Sequence, residues 1–193
     1  WGQPKQGGAA TQVEGVVKVV GNECAFAALL QDQSVFTWGD AEGGGDSSAV
    51  SAELKDVVEI RAFFQCFVAF REDQSAILWG KDQRQHIFTN VSSIAVNKFG
   101  VAVLKLDGSV EAIRWRQPQR YGQYESGVSF ETVQHRLTEG VSALHSTMGA
   151  FAATKLDGSV ITWGGRSYGG DSQWLQDILD QRGAAPGAVE SSD

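Results

Sequence analysis

Three prolines, two cysteines, three histidines and one methionine are all that 193 residues hold of these types, and each scarcity closes off a class. No apolar run approaches the roughly 18 residues a membrane-crossing helix needs, so the expectation is a soluble or peripheral chain. Cys24 and Cys66 are too few for a disulfide framework and lack metal-ligand spacing. His86, His135 and His145 lie on different segments with no motif joining them, and no Lys-Ser/Thr follows the glycine-rich stretch to make a phosphate cradle. Cations are also short: 16 Lys and Arg face 23 Asp and Glu, and a net charge of −7 argues against general affinity for nucleic acid. The chain opens on Trp1 without a basic-then-apolar leader, which suggests a processed product or a start inside a longer one.

Glycine, in contrast, is frequent at 23, and Trp plus Phe number 16, a profile of short strands joined by tight turns. Residues 149–165, GAFAATKLDGSVITWGG, set out the unit: two apolar runs flank Asp157-Gly158 and end in Trp163-Gly164. Asp-Gly between such runs predicts a β-hairpin with a type I′ turn. Aligning Asp157 with Asp107, Asp73 and Asp32 gives four copies, near residues 16–39, 57–80, 91–114 and 141–164. Each carries a Val-led first strand, an apolar second strand and a third strand whose slot for Trp is filled by Trp38, Trp79 and Trp163. Second strands that are apolar throughout imply sheets covered on both faces, as in a propeller or solenoid, with the Trp wedged between neighbours. In the third copy Ile113 takes the Trp slot, and Trp115 follows two residues later. Gln33 and Gln74 stand where a turn glycine is expected, predicting strained or different turns. Cys24 and Cys66 fall one register position apart, so strand alternation predicts two free thiols, with a disulfide as the alternative.

The connectors carry the variation. Asp40, Glu42 and Asp46 read as turn acids capping loop amides, the SAELKD segment as one helical turn, and Asn90-Val91-Ser92 as a glycosylation sequon. Residues 115–140 form an insertion in which Phe130, Val133 and Leu137 predict a short helix closed by Gly140. Asp171-Ser172 caps a predicted C-terminal helix bearing Trp174, Leu175, Ile178 and Leu179, within a segment 173–193 that ends in an Ala/Gly/Ser-rich tail.

The frame FAAL-x-x-DGSV-x-TWG followed by YGGDS resembles the RCC1 family of β-propeller repeats over residues 1–172. The resemblance implies an all-β, propeller-like array of four RCC1-type repeats. Ala25-Phe26 and Ala150-Phe151 stand where the family has His-Ser or His-Thr, and Gly44-Gly45-Asp46 replaces Gly-Gln-Leu-Gly. This shorter form is similar to arrays in photosynthetic protists. The ultraviolet-receptor signature Gly-Trp-Arg-His-Thr is absent, the nearest match being Arg114-Trp115-Arg116, so that resemblance fails at its core.

Residues 98–136 are locally basic, and Arg114, Trp115, Arg116, Arg120, Tyr121 and Tyr124 fall within eleven positions, with Pro118 stiffening the run. Arg, Tyr and Trp are enriched at interface hot spots, so these residues and Trp174 are the expected partner contacts, with Trp115 or Tyr121 filling a partner's pocket. The expectation is a non-enzymatic scaffold without cofactor or metal, binding protein partners as an accessory subunit of a larger assembly. The resemblance points to a photosynthetic membrane complex in a plastid, with the cytoplasm as alternative. A guanine-nucleotide exchange factor for a small GTPase is the competing reading.

Overall fold

The computed structural model describes residues 12–80, 85–115 and 127–172. Within them lie four antiparallel sheets. The first contains β1 (Val16–Gly21), β2 (Ala25–Leu30) and β3 (Val35–Gly39). The second contains β4 (Val57–Phe63), β5 (Cys66–Arg71), β6 (Ala76–Gly80) and the short β7 (His86–Phe88). The third contains β8 (Val91–Asn97), β9 (Gly100–Lys105) and β10 (Val110–Arg114). The fourth contains β11 (Val141–Ser146), β12 (Ala150–Lys155) and β13 (Val160–Gly164). Each is a simple meander, as hairpin-joined neighbours dictate. The chain divides into two compact units at Ser92/Ser93, within β8.

The hairpin turn is not type I′. Gly158 is left-handed at φ 84°, but Asp157 is not, and its neighbours pair as Gly158 N–H to Lys155 C=O and Lys155 N–H to Ser159 C=O. This is a turn closed by a left-handed bulge residue. The reason is the aspartate side chain: its Oδ1 accepts from Ser159 N–H at 2.9 Å and from Ser159 Oγ at 2.7 Å, which ties Asp157 into an Asx turn. The same pair of bonds recurs at Asp32–Ser34, Asp73–Ser75 and Asp107–Ser109. Gln33 and Gln74 take the bulge position at φ 63°, the strain expected of a side chain in that region.

In the first unit, the second sheet lays Val57, Ile60, Phe67, Ile77 and Trp79 onto Ala25, Ala27 and Leu29 of the first sheet. Trp79 stacks on Phe67 at 5.4 Å and donates its indole N–H to Gly44 C=O at 3.1 Å, in the loop after β3. The helical turn of that connector forms at Ser48–Val50, slightly ahead of SAELKD, and sends Val50 and Leu54 into the same core. Asp40 and Asp46 cap the loop, accepting from Gly43 and Ser48 amides. The second unit repeats the design. Val141, Phe151, Ile161 and Trp163 cover Ala102 and Leu104, and Val133 and Leu137 fill the place of Val50 and Leu54. A backbone stitch marks each step: Val57, Val91 and Val141 N–H donate to the bulge carbonyls of Gln33, Gln74 and Gly108.

The insertion helix forms as α1 (Phe130–Val133), continued by a tighter turn to Arg136, with Gly140 left-handed beyond it. The C-terminal helix expected from the sequence falls outside the described residues. Cys24 and Cys66 are thiols not joined in a disulfide, and burial, then Asp40 and Glu23, push the Cys24 thiol upward.

Two expectations follow. Gln74→Gly relieves a left-handed side-chain residue and should raise unfolding free energy in denaturant by about 0.5–1 kcal/mol, the strain removed less the added chain entropy. The carboxyls of Asp32, Asp73, Asp107 and Asp157 are held below the usual carboxylate range, first by the Ser hydroxyl and then by the Ser amide. A lowered native pKa contributes stability that is present above the unfolded value of about 3.9 and is lost as pH falls through the native one. Melting temperature should therefore fall on acidification below about pH 4, and replacing all four by Asn, which keeps the acceptor without its titration, should flatten that fall.

Candidate interaction cleft

The sequence-predicted contact residues divide sharply. Arg114 ends β10 and is exposed. Trp115, expected at the surface, is only 2% exposed. Its backbone N–H donates to Phe99 C=O at 2.9 Å and its indole N–H to Asn97 C=O at 3.2 Å. A residue two places past the wedge slot is thus held, buried, against the turn between β8 and β9 and cannot reach a partner's pocket. Arg116, Arg120, Tyr121, Tyr124 and Trp174 lie outside the described residues.

Sequence reasoning missed Asn97. This buried side chain accepts from Phe99 and Gly100 amides and donates to Ala150 C=O at 3.2 Å, joining the third and fourth sheets beside Trp115. Asn22, at the same place in the first copy, accepts from Cys24 and Ala25 amides and donates to Gly43 C=O. The recurrence of Asn at one repeat position was the available clue.

Beside Arg114, where the insertion rejoins the sheets, the second unit holds a cleft of about 380 Å³. Its residues arrive from three directions. Val128 bridges to Gly164, whose N–H donates to Val128 C=O at 2.7 Å, and this pins Phe130 against Trp163 at 5.6 Å between ring centres. Gly127 is required there, since a Cβ would stand 1.9 Å from Gly164 C=O. On the other side Phe99 and Tyr168 meet at 6.1 Å across Gly149, where any Cβ would strike the tyrosine ring. Arg114 and Glu131 add one cation and one anion to the lining. The Glu131 carboxyl is lowered by the Ser129 hydroxyl first, with Arg114 adding attraction. Aromatic walls with a few charged groups make a binding geometry. The histidines take no part: His135 and His145 are exposed on other elements, and His86 stacks on Phe88. Among the described residues, no cluster of His, Cys, Asp or Glu is arranged to hold a metal.

No protein-family model matches the sequence, and no curated protein matches it either. Solved structures do. Prp20p from Saccharomyces cerevisiae superposes with a TM-score of 0.50 at 15% identity, over 80% of this chain and 46% of that one. Yeast RCC1 (Prp20) bound to Kap60 gives 0.50 at 14% identity, over 80% and 45%. The chain has an RCC1-like propeller fold. Human WBSCR16 aligns at 18% identity with a TM-score of 0.46, over 80% of this chain and 49% of that one. The chain thus spans a little under half the length of the RCC1-like structures it matches.

Within this RCC1-like frame, Trp115 is a core residue of its blade. Trp115→Ala should cost about 3–5 kcal/mol in a denaturant melt, as for emptying any large buried site, and as much as Trp79→Ala. A loss under about 1 kcal/mol would return Trp115 to the surface.

Proposed function

We propose that the chain is a non-enzymatic protein-interaction module, an accessory structural subunit of a larger assembly, whose partner docks at the cleft of the second unit. The observation that carries this reading is the aromatic cleft with Arg114 in its lining, built where the one long insertion returns to the sheets. An apolar side chain of the partner enters between Tyr168 and Phe130, and a partner carboxylate pairs with Arg114. Arg116, Arg120, Tyr121, Tyr124 and Trp174 stay expected partner contacts by residue type alone, since they lie outside the described residues. The local excess of cations against an otherwise acidic chain supports an acidic partner patch. Resemblance of the short repeat to protist arrays supports a plastid photosynthetic complex as the assembly.

The competing reading is a regulator of a small GTPase. Its support is likeness of fold to Prp20p, a structure described together with its binding to Gsp1p and histones. Co-purification from the native source separates the two: the scaffold reading expects recovery with pigment proteins and no acceleration of GDP release from a GTPase. Tyr168→Ala should weaken association by about 2 kcal/mol or more, a hot-spot loss, with little change in melting temperature. Arg114→Glu should slow association mainly at low salt. Retention of full affinity by both variants would move the contact off the cleft.

A further inference from the structure

The seam inside the first unit has a second half-seam beside it that none of the described residues fills. On the second sheet, Val57, Ile60, Phe67, Ile77 and Trp79 form the face pressed onto the first sheet. Strand register places Val16, Val19, Phe26, Phe36 and Trp38 at the same five positions of the first sheet. There, Val16, Val19 and Phe36 are 39%, 49% and 37% exposed, whereas Val57, Ile60 and Ile77 are at most 1% exposed. Trp38 already stacks on Phe26 at 5.3 Å, the arrangement of Trp79 on Phe67. Among the described residues, nothing accepts from its indole N–H, although the Trp79 indole is bonded to Gly44 C=O.

The matching receptor pattern lies on the fourth sheet, in the second unit. The fourth sheet carries Ala150-x-Ala152, buried and half-buried respectively, where the first carries Ala25-x-Ala27, the small floor under the Trp79 wedge. After β13 the chain repeats the loop that receives Trp79: Gly169 lies at φ 91°, ψ 12°, and Gly44 at φ 94°, ψ 12°. Thr162 anchors that loop through Gly170 and Ser172 as Thr37 does through Gly45 and Ser47. The backbone series is open in the same sense. Val16 N–H is the donor left without a preceding bulge carbonyl, and Gly158 C=O the bulge carbonyl left without a following valine, among the described residues.

We propose that a second copy of this chain docks head-to-tail, its fourth sheet receiving the first sheet of its neighbour through the seam already present within each unit. Trp38 enters between Ala152 and the Gly169 carbonyl, and Val16 N–H meets Gly158 C=O of the other copy. Among the described residues the donor face and the receptor face are different surfaces, so the contact is heterologous and continues until a ring closes or a filament grows. This contact rests on the seam and not on the cleft, although Gly169 of the receptor loop adjoins Tyr168 of the cleft lining.

Sedimentation of the full 193-residue chain should give a mass at least twice the 20.7 kDa of one copy, rising with concentration. Val19→Lys/Phe36→Glu, on the exposed donor face, should yield a monomer with an unchanged melting temperature. Ala152→Arg, on the receptor face, should do the same, with Val160→Arg in its place if the first variant unfolds. Mixed one to one, the donor-face and receptor-face variants each keep the half the other lost, and should recombine into a dimer. A monomer at all concentrations to about 100 μM assigns the face to a different chain and overturns the proposal. So does association that survives either variant, or a mixture that stays monomeric.

Discussion

Everything in this chain depends on one seam: an aromatic and β-branched face of one sheet laid on a floor of alanines in the sheet before it. An RCC1-like sheet has two apolar faces and three or four strands, and so cannot bury itself. At about 25 cal/mol per Å² of apolar area removed from water, closing both faces dominates what a blade gains by folding. The alanines set the depth of the seam, because small side chains let a stacked Phe–Trp pair approach the neighbouring backbone and give its indole N–H an acceptor there. The bulge-carbonyl-to-valine stitch fixes the offset between sheets, so hydrophobic and polar terms agree on one register.

The turns serve the seam. Four Asp-x-Ser corners hold the bulge residue left-handed, and that residue's carbonyl, at three of them, is the one that receives the next valine. This explains why Gln33 and Gln74 are tolerated: the conformation is imposed by the aspartate on one side and the stitch on the other, at a local cost of about 1 kcal/mol each. It also explains why the connectors vary in length while sending two apolar residues four apart into the core, Val50 and Leu54 in one unit and Val133 and Leu137 in the other.

The insertion departs from the repeat without leaving the rule. With Ile113 in the wedge slot, Trp115 two residues further on is buried against the Asn97 turn. The chain that leaves there returns as a single bridge onto Gly164, and the space between departure and return is the cleft. A site has thus been made from a loosened repeat, by displacing the wedge and leaving its surroundings aromatic.

The sequence alone determined the period, the four copies, their strands, the Trp wedges at Trp79 and Trp163 and the short helix at Phe130–Val133, because these rest on local patterns repeated in register. It misread what depends on side chains meeting across that register. Asp-Gly indicated a type I′ turn, but a hydroxyl two residues on captured the carboxylate and kept Asp157 out of the left-handed region. Trp115 read as a surface aromatic, because burial of a residue off the strand is decided by the turn that folds over it, not by its own neighbours. Asn97, the cleft and the bare face of the first sheet are likewise properties of adjacency. Three of the four Val-led first strands bury their leading valine and Val16 does not, and only the packing of one sheet on the next distinguishes them.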